Sequence, residues 1–117
     1  MTTRCELRRL GINNLYIPNV SPDGRTIAVQ SEKSDSLIHL GGPRDRRIEP
    51  IELNVTAPRW SPDGSKIIGS IDTQTLTGPN AGIFVYSVAD RRTEKVYHTG
   101  VRPQFLPGGR KIVFFEK

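Results

Sequence analysis

The stretch Val55–Ser70, VTAPRWSPDGSKIIGS, decides how this chain is read. It runs from a strand-like approach through a Trp and a Ser-Pro-Asp-Gly turn into a second apolar run. A cousin lies forty positions earlier, LYIPNVSPDGRTIAVQS from Leu15 to Ser31, and a looser third copy, VRPQFLPGGRKIVFFEK, occupies Val101 to Lys117. A repeat of about forty residues with a strand-turn-strand core is the signature of a propeller or array.

The turns have a mechanism. Pro22 and Pro62 pre-set the first corner, Asp23 and Asp63 bond the backbone of the turn, and Gly24 and Gly64 take the positive φ that a tight reversal needs. Ser21 and Ser61 add a side-chain cap of the same kind. Apolar runs follow at once: Ile27-Ala28-Val29, Ile67-Ile68 and Ile112-Val113-Phe114-Phe115. They are short, β-branched or aromatic and bounded by turn residues, which favours buried strands over helices.

Taken in order, residues 1–14 hold an outer strand at Thr3–Leu10, and four-stranded units follow over 15–54 and 55–100, with half a unit over 101–117. In the first unit the strands fall near Leu15–Val20, Thr26–Ser31, Ser36–Leu40 and Ile48–Leu53, with Glu32 to Asp35 as a polar loop. Pro50 cannot donate to a ladder, so the fourth strand belongs on an exposed edge. In the second unit the strands are Ala57–Trp60, Lys66–Ile71, Gly82–Val88 and Thr93–His98. Ile83-Phe84-Val85-Tyr86 is apolar on both faces, as suits a sheet sandwiched between neighbours. Trp60 is expected to pack between adjacent units.

The pattern x-P-x-W-S-P-D-G-x-x-I at Pro58, Trp60, Ser61, Pro62, Asp63 and Gly64 resembles the WD-repeat-like propeller repeat of TolB and its relatives. The same repeat occurs in propeller domains of prolyl-oligopeptidase-type peptidases and in sensor regions of some bacterial kinases and regulators. The first copy departs by placing Val20 where the Trp belongs, and the third has Phe105-Leu106-Pro107-Gly108-Gly109. The resemblance implies an all-β propeller segment of four-stranded antiparallel blades, part of a six-to-eight-bladed ring. In such a ring the open ends are covered by self-association or by the remainder of a longer chain.

Composition bounds the function. A chain of 117 residues with net charge +5 makes one ordinary domain with a modest core. The positive charge is an excess without a clustered stripe, so a nucleic-acid partner is not expected. Cys5 is the single cysteine, which excludes an internal disulfide and a cysteine metal cluster. No run has the length of a membrane span, and MTTRCELRRLG has no apolar segment of a secretory signal.

No catalytic or cofactor set emerges. Ser21 and Ser61 sit in SPDG turns, not in a G-x-S-x-G elbow, and His39 and His98 have no partner at metal-ligand spacing. Asp23 and Asp63 belong to successive repeats and are not read as a catalytic pair, and no phosphate-binding fingerprint is present. Arg44, Arg46, Arg47, Arg91 and Arg92 fall in third-to-fourth-strand loops, with Arg8 and Arg9 beside the outer strand. Interleaved Asp45, Glu49, Asp90 and Glu94 make solvated loop charge the simpler reading.

The reading is therefore a module that binds a protein or small ligand and performs no chemistry. A substrate-gating propeller of a prolyl-oligopeptidase-like peptidase and a sensor propeller of a bacterial kinase or regulator are the alternatives. Candidate contact residues are Arg59, Arg102 and Gln104 near the channel, with Thr77 and Asn80 on the long loop Asp72–Ala81.

Overall fold

The computed structural model describes residues 15–31, 34–71 and 81–116. Among them are ten β-strands: β1 Leu15–Val20, β2 Thr26–Ser31, β3 Ser36–His39, β4 Ile48–Pro50, β5 Thr56–Trp60, β6 Lys66–Ile71, β7 Gly82–Ser87, β8 Arg92–Tyr97, β9 Val101–Phe105 and β10 Ile112–Phe115. A single 3-10 turn, Gly42–Arg44, is the only helical element of the described residues. The strands form two antiparallel four-stranded sheets, β1-β2-β3-β4 and β5-β6-β7-β8, and a β9-β10 pair. The expected strand at Thr3–Leu10 lies outside the described residues.

Each first strand carries the same irregularity. One extra residue is inserted in β1 between Tyr16 and Pro18, in β5 between Thr56 and Arg59, and in β9 opposite Val113–Phe115. Pro18, Pro58 and Pro103 stand at these bulges. Proline has no N–H to give to a ladder, and a bulge is one of the few places a sheet accepts it. The residues before two of these prolines, Ala57 at φ 49 and Arg102 at φ 52, sit in the left-handed region. The inner strands are thus bent at a repeated position that the Pro-x-Trp/Phe spacing marks in the sequence.

The fourth strand of the first sheet is shorter than the apolar pattern suggests. Regular pairing runs from Ile48 to Pro50; beyond it the backbone is held to Asp35 through the Ile51 N–H and the Leu53 carbonyl, and Ile51, Leu53 and Val55 turn inward between the sheets. They join Ala28 and Leu37 of the first sheet and Ile67 and Tyr86 of the second in one buried cluster, against which Trp60 packs half-buried. The turn before β3 also differs from its polar composition: Asp35 is 0% exposed.

Among the described residues, the Thr93 hydroxyl donates to the Glu52 carbonyl across this seam, and three further hydrogen bonds cross it. The Trp60 indole N–H donates to the Asn19 carbonyl (2.9 Å), the Ala57 N–H to Gln30 Oε1 (3.2 Å) and the Val55 N–H to Asp35 Oδ2 (3.0 Å). A second apolar seam joins Ile68, Ile83 and Val85 to Phe105, with Ile112 and Phe114 packed against it. On β10 the alternate residues Val113 and Phe115 are 48% and 69% exposed.

Two substitutions test the first seam. Gly69 is buried, and a Cβ there would lie 2.2 Å from Val55 Cγ2, so Gly69→Ala should cost about 1–3 kcal/mol through overpacking. Trp60→Phe keeps much of the packing but removes the bond to Asn19, with an expected loss of about 1 kcal/mol. Urea unfolding followed by circular dichroism measures both.

Candidate functional site

The two SPDG turns are built alike from short-range bonds. The Ser21 hydroxyl donates to Asp23 Oδ1 (2.6 Å) and accepts the Thr26 N–H (3.1 Å), while the Arg25 N–H donates to the same carboxylate (2.9 Å). In the second turn Ser61 Oγ donates to Asp63 Oδ1 (2.7 Å), Ser61 Oγ accepts the Lys66 N–H (3.0 Å), and Ser65 donates through both its N–H and its hydroxyl. Gly24 and Gly64 close these turns at φ 74 and 76, where a side chain would be strained. The donors hold both carboxyls in the charged form. The Ser65 bonds, then that from Ser61, lower Asp63 to about 2, and the Ser21 bond leads in lowering Asp23. Both serines are thereby committed to the turns: each hydroxyl proton is directed at its own aspartate rather than at a general base.

The turns lie next to one another. Asp23 and Asp63 line a single cleft of about 550 Å³ between the first and second sheets, with Trp60, Tyr86, His39, Glu49 and Arg91 on its walls. The forty-residue separation in sequence hides this proximity, which follows from stacking the repeats side by side. Glu49 is the centre of a small polar group: His39 Nε2 is 3.9 Å from one carboxylate oxygen and Arg91 Nη2 4.0 Å from the other. Burial, then the nearby Glu49 charge, raise the Tyr86 hydroxyl. His39 Nε2 is shielded from solvent with no hydrogen-bond partner among the described residues.

His39 is not the repeat counterpart of His98. It pairs with Thr26, as Ser87 pairs with Lys66, so Ser87 holds the equivalent place. Sequence reasoning missed this group because its members are scattered over β3, β4, β7 and a turn. The repeated Asp-Arg-Arg at 45–47 and 90–92 was a usable signal. Arg46 and Arg91 occupy the same left-handed turn position, φ 62 and 54, and place Arg91 over Glu49.

The other candidate residues lie on the inner strands. β5 neighbours both β1 and β9, so the first strands of the three sheets run side by side. Arg59 on β5 and Arg102 and Gln104 on β9 are all exposed. Arg59 and Gln104 occupy equivalent places, each one residue before the aromatic that pairs with Ile67 or Ile112. Thr77 and Asn80, with the long loop over 72–80, lie outside the described residues. No group of three or more His, Cys, Asp or Glu side chains able to hold a metal ion occurs among the described residues.

With this geometry in hand, the chain compares with known propellers. It superposes on TolB from Acinetobacter baumannii with a TM-score of 0.69 at 17% identity, covering 91% of this chain and 28% of that one. The fold is that of a TolB-like β-propeller. A putative TolB from Agrobacterium tumefaciens matches at a TM-score of 0.43 and 19% identity, over 87% of this chain and 53% of that chain. No protein-family model and no curated protein matches the sequence. The chain thus spans under a third of the length of the Acinetobacter structure it superposes on, and its sheets are blades of an incomplete propeller.

The depressed Asp63 carboxyl gives a pH test. A group whose folded-state pKa lies below its ordinary value adds stability above that value and loses it as pH falls through the folded one. Carboxyl NMR should find Asp63 titrating near 2, and Ser65→Ala together with Ser61→Ala should return it toward 3.8.

Proposed function

We propose that this chain is a non-catalytic TolB-like propeller module that binds a partner, protein or small ligand, across its innermost strands. The observation that carries the reading is the juxtaposition of exposed Arg102 and Gln104 on β9 with exposed Arg59 on the neighbouring β5. Two guanidiniums and an amide on neighbouring strands suit a carboxylate-bearing partner, because the guanidinium fork pairs bidentately with carboxylate oxygens. Thr77 and Asn80 are kept as further candidate contact residues.

A nucleic-acid partner is disfavoured, since the remaining exposed arginines of the blade turns alternate with Asp45, Glu49, Asp90 and Glu94. No described helix is long and apolar enough to cross a membrane. The exposed Val113 and Phe115 face is assigned to contact with further blades, supplied by the rest of a longer chain or by a second copy.

The test uses a fluorescent hexaglutamate peptide as probe. The protein should bind it with an affinity that weakens as salt rises, and Arg59→Ala with Arg102→Ala should lower the affinity roughly tenfold or more. Unchanged affinity in the double variant would remove the inner strands from the contact. For the sheet face, sedimentation of the 117-residue chain should show self-association that Phe115→Ser reduces.

A further inference from the structure

The repeat places an acid where the fold asks for a hydrocarbon. Val29 pairs with Ser36 in the first blade and Gly69 with Phe84 in the second, and Val29 and Gly69 each stand eight residues past the turn serine. The residue before each partner is therefore equivalent: Asp35 in the first blade and Ile83 in the second. Ile83 is 1% exposed and belongs to the apolar second seam. Its Cδ1 lies against Gly100, the counterpart of Val55. The same architecture is thus satisfied in the second blade by an aliphatic side chain, and the carboxyl of Asp35 is a departure that the propeller does not require.

Asp35 is also incompletely paired. It is 0% exposed; Oδ2 accepts the Val55 N–H at 3.0 Å, while Oδ1 has no hydrogen-bond partner among the described residues. Its backbone grips the same connecting segment, the Asp35 N–H donating to the Leu53 carbonyl (2.7 Å) and the Ile51 N–H donating to the Asp35 carbonyl (3.0 Å). The side chain is therefore tied to the segment whose Ile51, Leu53 and Val55 fill the seam.

The charged groups on the surrounding elements are Glu52 on the connecting segment, His39 at the far end of β3, Glu49 on β4, Arg59 on β5 and Lys66 at the far end of β6. Glu52, Arg59 and Lys66 are exposed, and Glu49 interacts with His39 and Arg91 in the cleft. None of these described groups supplies a counter-charge to Asp35. A buried carboxylate with one unbonded oxygen and no cation among the described groups beside it is costly, and the neutral acid is favoured.

We propose that Asp35 is a pH-responsive latch between the first and second blades: the junction is firm while the carboxyl is protonated and loosens when it ionises. Desolvation raises the group from 3.8 to about 7, opposed by the Val55 bond, which places the transition in the neutral range. The sign follows from linkage. The folded chain holds this proton at pH values where the unfolded chain has lost it, so the contribution is full below about 4 and is lost as pH rises to about 7. The device is independent of what the inner strands bind.

The experiment titrates Asp35 directly in the whole chain by carboxyl carbon NMR and follows exchange of the Val55 amide. The expected result is a midpoint close to 7, with Val55 protection falling over the same interval once intrinsic exchange is corrected for. Urea unfolding of Asp35→Asn and the parent protein across pH gives a second reading. Between the two pKa values the parent should weaken relative to the variant by up to about tenfold in its folding equilibrium per pH unit. An Asp35 midpoint near 3.8, or Val55 protection independent of pH, would overturn the proposal. The direct titration decides the matter even if Asp35→Asn fails to fold.

Discussion

The structure depends on the seam between its first two blades. A propeller blade is a sheet with two apolar faces, and neither face is stable in water until a neighbour covers it. Here the neighbour is fixed by direction as well as by area. The Trp60 indole reaches back to Asn19, the bulged Ala57 amide to Gln30 and the Val55 amide to Asp35. Apolar burial alone is non-directional. These bonds add the orientation that sets one blade against the next, and with it the shape of the cleft and the spacing of the inner strands.

Much of this fold is legible in the sequence because the repeat is made of residues with narrow uses. Ser-Pro-Asp-Gly can do little but turn, and the runs Thr26–Ser31 and Lys66–Ile71 that follow form β2 and β6 over those same residues. The misread places share a physical cause. Ile48–Leu53 has the composition of a strand throughout, yet only Ile48–Pro50 pairs. Beyond Pro50 the Asp35 backbone still bonds the Ile51 N–H and the Leu53 carbonyl, while the apolar side chains turn into the seam. Asp35 reads as part of a polar loop because a lone acid between serines has no local signal of burial. Only its equivalence with Ile83, which needs the pairing register, exposes the conflict.

The site was less legible than the fold. Local turn chemistry identifies Asp23 and Asp63 but not that they share a cleft, since their proximity is created by stacking repeats. His39, Glu49, Tyr86 and Arg91 come from different strands and carry no common motif. The inner-strand residues Arg59, Arg102 and Gln104 could be nominated from position in the repeat, whereas the left-handed backbone of Arg102 could not. A non-glycine residue before proline gives no warning of positive φ. Turn residues are thus dictated by backbone geometry, while other equivalent positions, such as Asp35 against Ile83 and His39 against Ser87, differ between the repeats.

The seam makes the two complete blades one cooperative unit. Native-state hydrogen exchange in low urea measures this directly, by comparing amides of β2 and β3 with those of β6 and β7. Both sets should converge on a single opening free energy, and Gly69→Ala should lower both together. Two sets that open with different free energies, with only one responding to Gly69→Ala, would show that each blade stands on its own and would contradict it.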